Sequence, residues 1–235
     1  MPPTALQQNL DRLAQIVSRL RAPDGCPWDR VQTPTTLKPY ILEEAYELIE
    51  ALDRENPADI CDELGDLLLQ IVFIAEIFHE QGRFGLADVI ETICAKMIRR
   101  HPHVFADDSN EGHAQRWEAI KNQERRLANK KDGLAQALPA TLPALKRTQK
   151  LYKKLNPQTP GQILTALDET RTALAALLLS PTASPTEREA ALAQLLSLTA
   201  QLAQALHLDA EEVLRAKTTA KIREIDARQC HQSRV

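Results

Sequence analysis

Residues 42–78, LEEAYELIEALDRENPADICDELGDLLLQIVFIAEIF, constrain the fold more tightly than any other stretch, because their pattern is met by two helices folded back on each other. Glu44 and Glu47 are three apart, as are Glu63 and Asp66, and residues three apart on a helix share a face. Glu55, Asn56 and Pro57 mark the turn, since Pro costs no hydrogen bond at the first position of a new helix but would cost one inside it. The pairs 47/63 and 44/66 are both centred on residue 55. An antiparallel hairpin therefore sets each acid level with another, roughly 12 Å from the turn at about 1.5 Å of rise per residue.

Four carboxylates at one height repel each other, and the chain from Leu64 to Phe78 is apolar on nearly every side, interrupted by Gln70 and Glu76. This predicts a helix central to its domain, with Glu63 and Asp66 entering a dry environment. An unpaired carboxylate there shifts its pKa upward or destabilises the fold, and a hard divalent cation with oxygen ligands removes the problem. The candidate ligands are Glu44, Glu47, Glu63 and Asp66, with Glu43 beside them. The bland alternative is a set of ordinary solvated helix acids.

The rest of the chain reads as helices too. Leu6, Leu10, Leu13, Ile16, Val17 and Leu20 recur at helical spacing up to about Arg21, and RAPDGCPWDRVQTP follows as a loop. Trp28 in that loop suits either a flat ligand or a plug over a helix end. Thr35 or Thr36 is a possible cap for the first acid helix, and Lys38 lies within reach of an anion held near Glu44. Gly82 is a helix stop, after which FGLADVIETICAKMIRRHPHVF predicts a helix burying Leu86, Val89, Ile90, Ile93, Met97 and Ile98. Lys96, Arg99 and Arg100 near its end suit either capping of the helix dipole or a phosphate clamp. Beyond the polar break at 106–113, Trp117 and Lys121 are four apart on a further helix. An aromatic plane beside an ammonium fits a base next to a phosphate, and equally a packed core.

With 235 residues, 43% hydrophobic and 26% charged, the chain can bury a sizeable core. The seven glycines and the few aromatics favour helices over sheets. No apolar run reaches membrane-span length, the start lacks the apolar core of a signal peptide, and the four cysteines show no CxxC spacing. The expected setting is the reduced cytoplasm, with no membrane. A net charge of −3 gives no nucleic-acid footprint. From about Asn129 the composition shifts, and four further helical segments repeat the order of the first half: a short amphipathic helix, a hairpin, a charged helix. Over LEEAYEL, the segment LDETRTAL keeps Asp168 and Glu169 but has Thr172 in place of Glu47, and its partner helix carries Gln194 and Ser197 without an ExxD. The expected organisation is a duplication, 1–128 with the acids and 129–235 a degenerate copy with a structural or dimer-forming role.

GCPWD at 25–29, LEEAYE at 42–47, DELGDLLLQ at 62–70, RRHPHVF at 99–105 and RWEAIK at 116–121, in this order and spacing, together closely resemble the MazG family of nucleoside triphosphate pyrophosphohydrolases. The resemblance is close over roughly residues 6–127 and faint beyond. It implies an all-α antiparallel helical bundle assembled as a homodimer, with Mg²⁺ on Glu44, Glu47, Glu63 and Asp66. It further implies nucleotide or phosphate contacts at Lys96, Arg100, Trp117 and Lys121. The reaction it implies is hydrolysis of a nucleoside triphosphate to monophosphate and pyrophosphate, with Glu43 the nearest group to accept a proton from water. Family members with two such halves can carry the active site in the second; here the second half has lost the motif, which places activity in the first. Two rival readings are a di-iron bundle, for which the chain offers one ExxH (Glu76 to His79) where two are needed, and a non-catalytic nucleotide- or protein-binding module.

Overall fold

The computed structural model describes residues 4–105, 138–155 and 158–232 and, between them, residues 117, 119–121, 123, 124 and 134. Its helices are α1 (Ala5–Arg21), α2 (Pro27–Arg30), α3 (Lys38–Arg54), α4 (Pro57–Glu80), α5 (Leu86–Arg100), α6 (Pro102–Phe105), α7 (Ala144–Tyr152), α8 (Pro160–Leu179), α9 (Pro185–Ala205) and α10 (Ala210–Gln232). Among the described residues there is no strand. The protein is all-α, and its chain divides into two compact units, Met1–Ile120 and Lys121–Val235. The composition shift near Asn129 lies outside the described residues.

In the first unit, α3 and α4 form the hairpin and α1 packs along α4. The turn is built as its residues require. Glu55 ends α3 in the left-handed region (φ 55°), the Asn56 side chain accepts from the Ala58 N–H at 3.0 Å, and Pro57 opens α4. The core joins Val17 of α1 to Val72, Phe73 and Ile77 of α4, with Leu37 from the connector between α1 and α3 inserted among them.

That connector, residues 22–37, is pinned by Arg21. Its guanidinium donates twice to the Glu80 carboxylate at 2.7 Å, to the carbonyls of Asp29 (2.7 Å) and Gln32 (3.2 Å), and lies 5.4 Å from the Phe73 ring centre. The side chain is only 6% exposed, so one buried cation ties the end of α1 to the end of α4 and to the loop between. At Gly25 the loop comes so close that a Cβ would sit 2.2 Å from the Leu20 carbonyl oxygen, which requires glycine.

In the second unit α8 and α9 form a hairpin against which α7 packs, and α10 follows. Thr159 and Ser184 cap α8 and α9 with reciprocal bonds to Gln162 and Glu187, each cap followed by Pro. Gln149 of α7 donates to the Leu208 carbonyl (2.7 Å) and accepts from the Ala210 N–H (3.0 Å), and Lys146 pairs with Asp209, so α7 holds the start of α10.

Four local expectations are corrected. Helix α4 is central only over its second half, where Val72, Phe73, Ala75 and Ile77 are buried, while Leu64, Leu68 and Ile71 are exposed. The reason is coverage: the core contributed by α1 and the connector reaches only the far end of α4. Helix α5 buries no residue fully, and Ile90, Ile93 and Ile98 are open because, among the described residues, α4 is the main helix packed against it. It also stops at Arg100, before Pro102, instead of running on to Phe105. Neither Thr35 nor Thr36 caps α3. Leu37 occupies that position without a side-chain bond, and the Thr36 hydroxyl instead accepts from the Thr33 N–H at 2.9 Å.

Candidate metal centre

The short turn sets the register of the hairpin, and the register brings acids of both helices together. Glu44 of α3 and Glu63 and Asp66 of α4 offer carboxylate oxygens that all lie within 4.8 Å of one another. Glu44 and Glu63 are half-buried and Asp66 is exposed, so the pocket is wetter than the apolar run around it suggests. Glu47, exposed one turn on from Glu44, stands outside this closest set.

The electrostatics bind all five acids into one system. Burial pushes the Glu44 carboxyl above the ordinary carboxylate range, and the charges of Asp66, Glu47, Glu63 and Glu43 push it further, in that order. Glu63 is raised in the same way by burial, then by Glu47, Asp66, Asp62 and Asp59. Among the described residues no Lys, Arg or His pairs with Glu44, Glu47, Glu63 or Asp66. Other acids of the same unit are neutralised: Asp24 by Arg19, Glu50 by Arg54 and Glu80 by Arg21.

One oxygen of this cluster, Glu63 Oε2, is buried and has no hydrogen-bond partner. A buried acceptor without a donor is costly, and a half-buried carboxylate beside two others more so. The donor set is all oxygen and all anionic, which is what a hard divalent cation takes. The residues present therefore fit such an ion. A second orphan lies on the same face of α4, seven residues on: Gln70 Oε1 is also buried and unpartnered. In the sequence Gln70 registers only as a break in an apolar run, and its spacing from Glu63 was the available signal.

The other candidates lie elsewhere. Lys96 and Arg100 are half-buried near the end of α5, and the Arg100 guanidinium sits 5.1 Å from the centre of the Trp117 ring. His101 meets the same ring edge-on at 5.0 Å, and its Nδ1 is 2.7 Å from the Met97 carbonyl. Trp117 thus belongs to an aromatic and cationic cluster at the end of α5, whereas Lys121 falls in the second unit. Lys38 is exposed at the start of α3. Trp28 is half-exposed and packs edge-on against Tyr40 at 5.9 Å.

The fold and this site define an all-α protein with an acid-lined helical hairpin. Residues 32–105 match the MazG nucleotide pyrophosphohydrolase domain. The chain is 38% identical over 213 residues to the nucleoside triphosphate pyrophosphohydrolase/pyrophosphatase MazG of Thermotoga maritima, a match covering 88% of this chain and 80% of that protein. It is 48% identical over 149 residues to a nucleoside triphosphate pyrophosphohydrolase of Escherichia coli K12, covering 62% of this chain and 56% of the relative. A Mycobacterium tuberculosis protein of the same name is 37% identical over 151 residues, 62% of this chain and 46% of its own length. The chain belongs to the MazG family. It spans about half the length of the E. coli relative it matches.

Proposed function

We propose that the chain hydrolyses nucleoside triphosphates to the monophosphate and pyrophosphate, using Mg²⁺ held by Glu44, Glu47, Glu63 and Asp66. The observation that carries this reading is the unpaired acid cluster, with its buried, partnerless Glu63 oxygen and the raised carboxyls of Glu44 and Glu63. A triphosphate is itself highly anionic, so an acid pocket attracts it only when cations reverse the local field. Glu44, Glu47, Glu63 and Asp66 would hold such an ion, which would supply positive charge for the phosphates and would make a water more acidic.

The chain's own residues supply the rest. Glu43, exposed beside Glu44, accepts the proton of the attacking water as a bond forms to the α-phosphorus and the bond to the bridging oxygen breaks. Lys96 and Arg100 take up charge on the leaving pyrophosphate, and Trp117 offers an aromatic face to the base. The apolar side chains left open on the hairpin and on α5, among them Leu64, Leu68, Ile71, Ile90 and Ile93, support a homodimer as the working form. We place that dimer in the cytoplasm; no helix among the described residues is long and apolar enough to cross a membrane. Residues 129–235 read as a second copy of the hairpin unit that has lost its acids.

The test is pyrophosphate release from a panel of nucleoside triphosphates with and without Mg²⁺. Release that requires Mg²⁺ and disappears in Glu63→Gln supports the reading, and full release in that variant overturns it.

A further inference from the structure

The end of α7, the start of α8 and the last turn of α9 enclose a half-open cavity of about 360 Å³. Tyr152 and Lys153 form one wall, Pro160 and Ile163 a second, and Gln201, Gln204 and His207 the third. The corresponding place in the first unit is filled. There the connector 22–37 packs Leu37 between α1 and the end of α4 and is held by Arg21. In the second unit the chain between the same two positions is only seven residues, 153–159, against sixteen in the first.

The lining is chemically specific. Gln201 is 7% exposed, yet its side chain makes no hydrogen bond among the described residues, although it lines the cavity. Gln149, just as buried on the neighbouring helix, has both ends of its amide engaged. A guest with matching donors and acceptors pairs with this open amide in place of solvent. Gln204 and Gln158 add two more amides, and amides, donor and acceptor at once, match the edges of nucleobases. The Tyr152 ring is fixed by a bond from Ser197 to its hydroxyl at 3.3 Å. Among the described residues no acid lines the space, while Lys153 and the His207 imidazole stand at it, and α7 with its following turn carries Lys146, Arg147, Lys150, Lys153 and Lys154. An anion with a planar, amide-reading body fits, and the volume is in the range of small-molecule sites.

We propose that this cavity binds a nucleoside monophosphate, its base against Tyr152 and the glutamine amides and its phosphate on Lys153 and His207. The site is separate from the acid hairpin and does not require that hairpin to be catalytic. The experiment is calorimetric titration of the full chain with AMP, GMP, CMP and UMP in EDTA, which silences any metal-dependent binding, with inorganic phosphate as control. At least one nucleotide binds with a dissociation constant below about 1 mM. Gln201→Leu, which keeps the volume and removes the unpaired amide, weakens it about tenfold, as does Lys153→Met at the rim. Glu63→Gln leaves it unchanged. Helicity and melting temperature show that each variant is folded. No binding up to about 10 mM overturns the proposal. So does affinity indifferent to both cavity substitutions, affinity lost in Glu63→Gln, or phosphate binding as tightly as the nucleotides. Loss of pyrophosphate release bears on the acid hairpin alone.

Discussion

The two hairpins, α3/α4 and α8/α9, share an order of elements and differ in what they do with charge. On α3 and α4 the acids face each other without cations, and two of them are held above the ordinary carboxylate range. On α8, Asp168 is neutralised by Arg171 at 2.9 Å, and Thr172 turns its hydroxyl back to the Asp168 carbonyl at 2.8 Å. On α9, Ser197 bonds to Tyr152 of α7 instead of offering an acid. The scaffold tolerates both arrangements. The difference teaches that helix pairing needs no carboxylates, so their retention on one hairpin is a cost that a bound cation would offset.

The sharpest way to break this comparison is to remove one acid from each hairpin. Glu63→Gln or Asp66→Asn lowers Mg²⁺-dependent pyrophosphate release by more than the ~10–100-fold typical of losing a supporting partner around a metal. Asp168→Asn leaves it within twofold of the parent, about the noise of such assays against tenfold per 1.4 kcal/mol. Equal losses from the two hairpins would dissolve the distinction.

Stability against pH sharpens it. Because the Glu44 and Glu63 carboxyls are raised above 4.5 in the fold, the folded state binds more protons than the unfolded chain just above that pH. The metal-free protein therefore loses stability from this pair as pH climbs from about 4.5 through the raised values. Protons and Mg²⁺ compete for the same oxygens, so the rise in melting temperature on adding Mg²⁺ grows over the same window. Melting curves of Glu63→Gln should show a flatter metal-free profile and little response to Mg²⁺. A parent-like Mg²⁺ response in that variant would place the ion elsewhere.

Two ion pairs extend the comparison to smaller effects. Arg21→Met leaves two loop carbonyls without their donor beside a buried position and frees Glu80 to solvent, at a cost of about 2 kcal/mol in chemical denaturation. Lys146→Met removes the pair with Asp209, which is partly exposed on both sides, and costs less than about 1 kcal/mol. The reverse order would mean that the connector 22–37 is not what the Arg21 contacts hold in place.

What was legible in the sequence follows from how local each signal is. Asn56 and Pro57 act on their own neighbours, so the turn and the register of Glu44 with Asp66 were readable. The helices of both units were readable from spacing and caps. Coverage was not: the apolar run of α4 does not reveal that α1 reaches only its second half, nor that α5 leaves Ile90 and Ile93 open. Arg21 read as the end of a helix because its partner Glu80 lies 59 residues away. The cavity behind Gln201 was invisible for a similar reason, since its other walls, Tyr152 and Ile163, lie 49 and 38 residues away.

The left-handed Glu55 that closes the hairpin has one last implication. With about 100° of rotation and about 1.5 Å of rise per residue, a single insertion between Pro57 and Glu63 would swing both lower acids a quarter-turn or more off axis, while seven would restore the facing but carry them about 10.5 Å past the level of Glu44. The hairpin thus works like a vernier scale, and natural length variation near its bend should come in whole helical repeats matched on both arms.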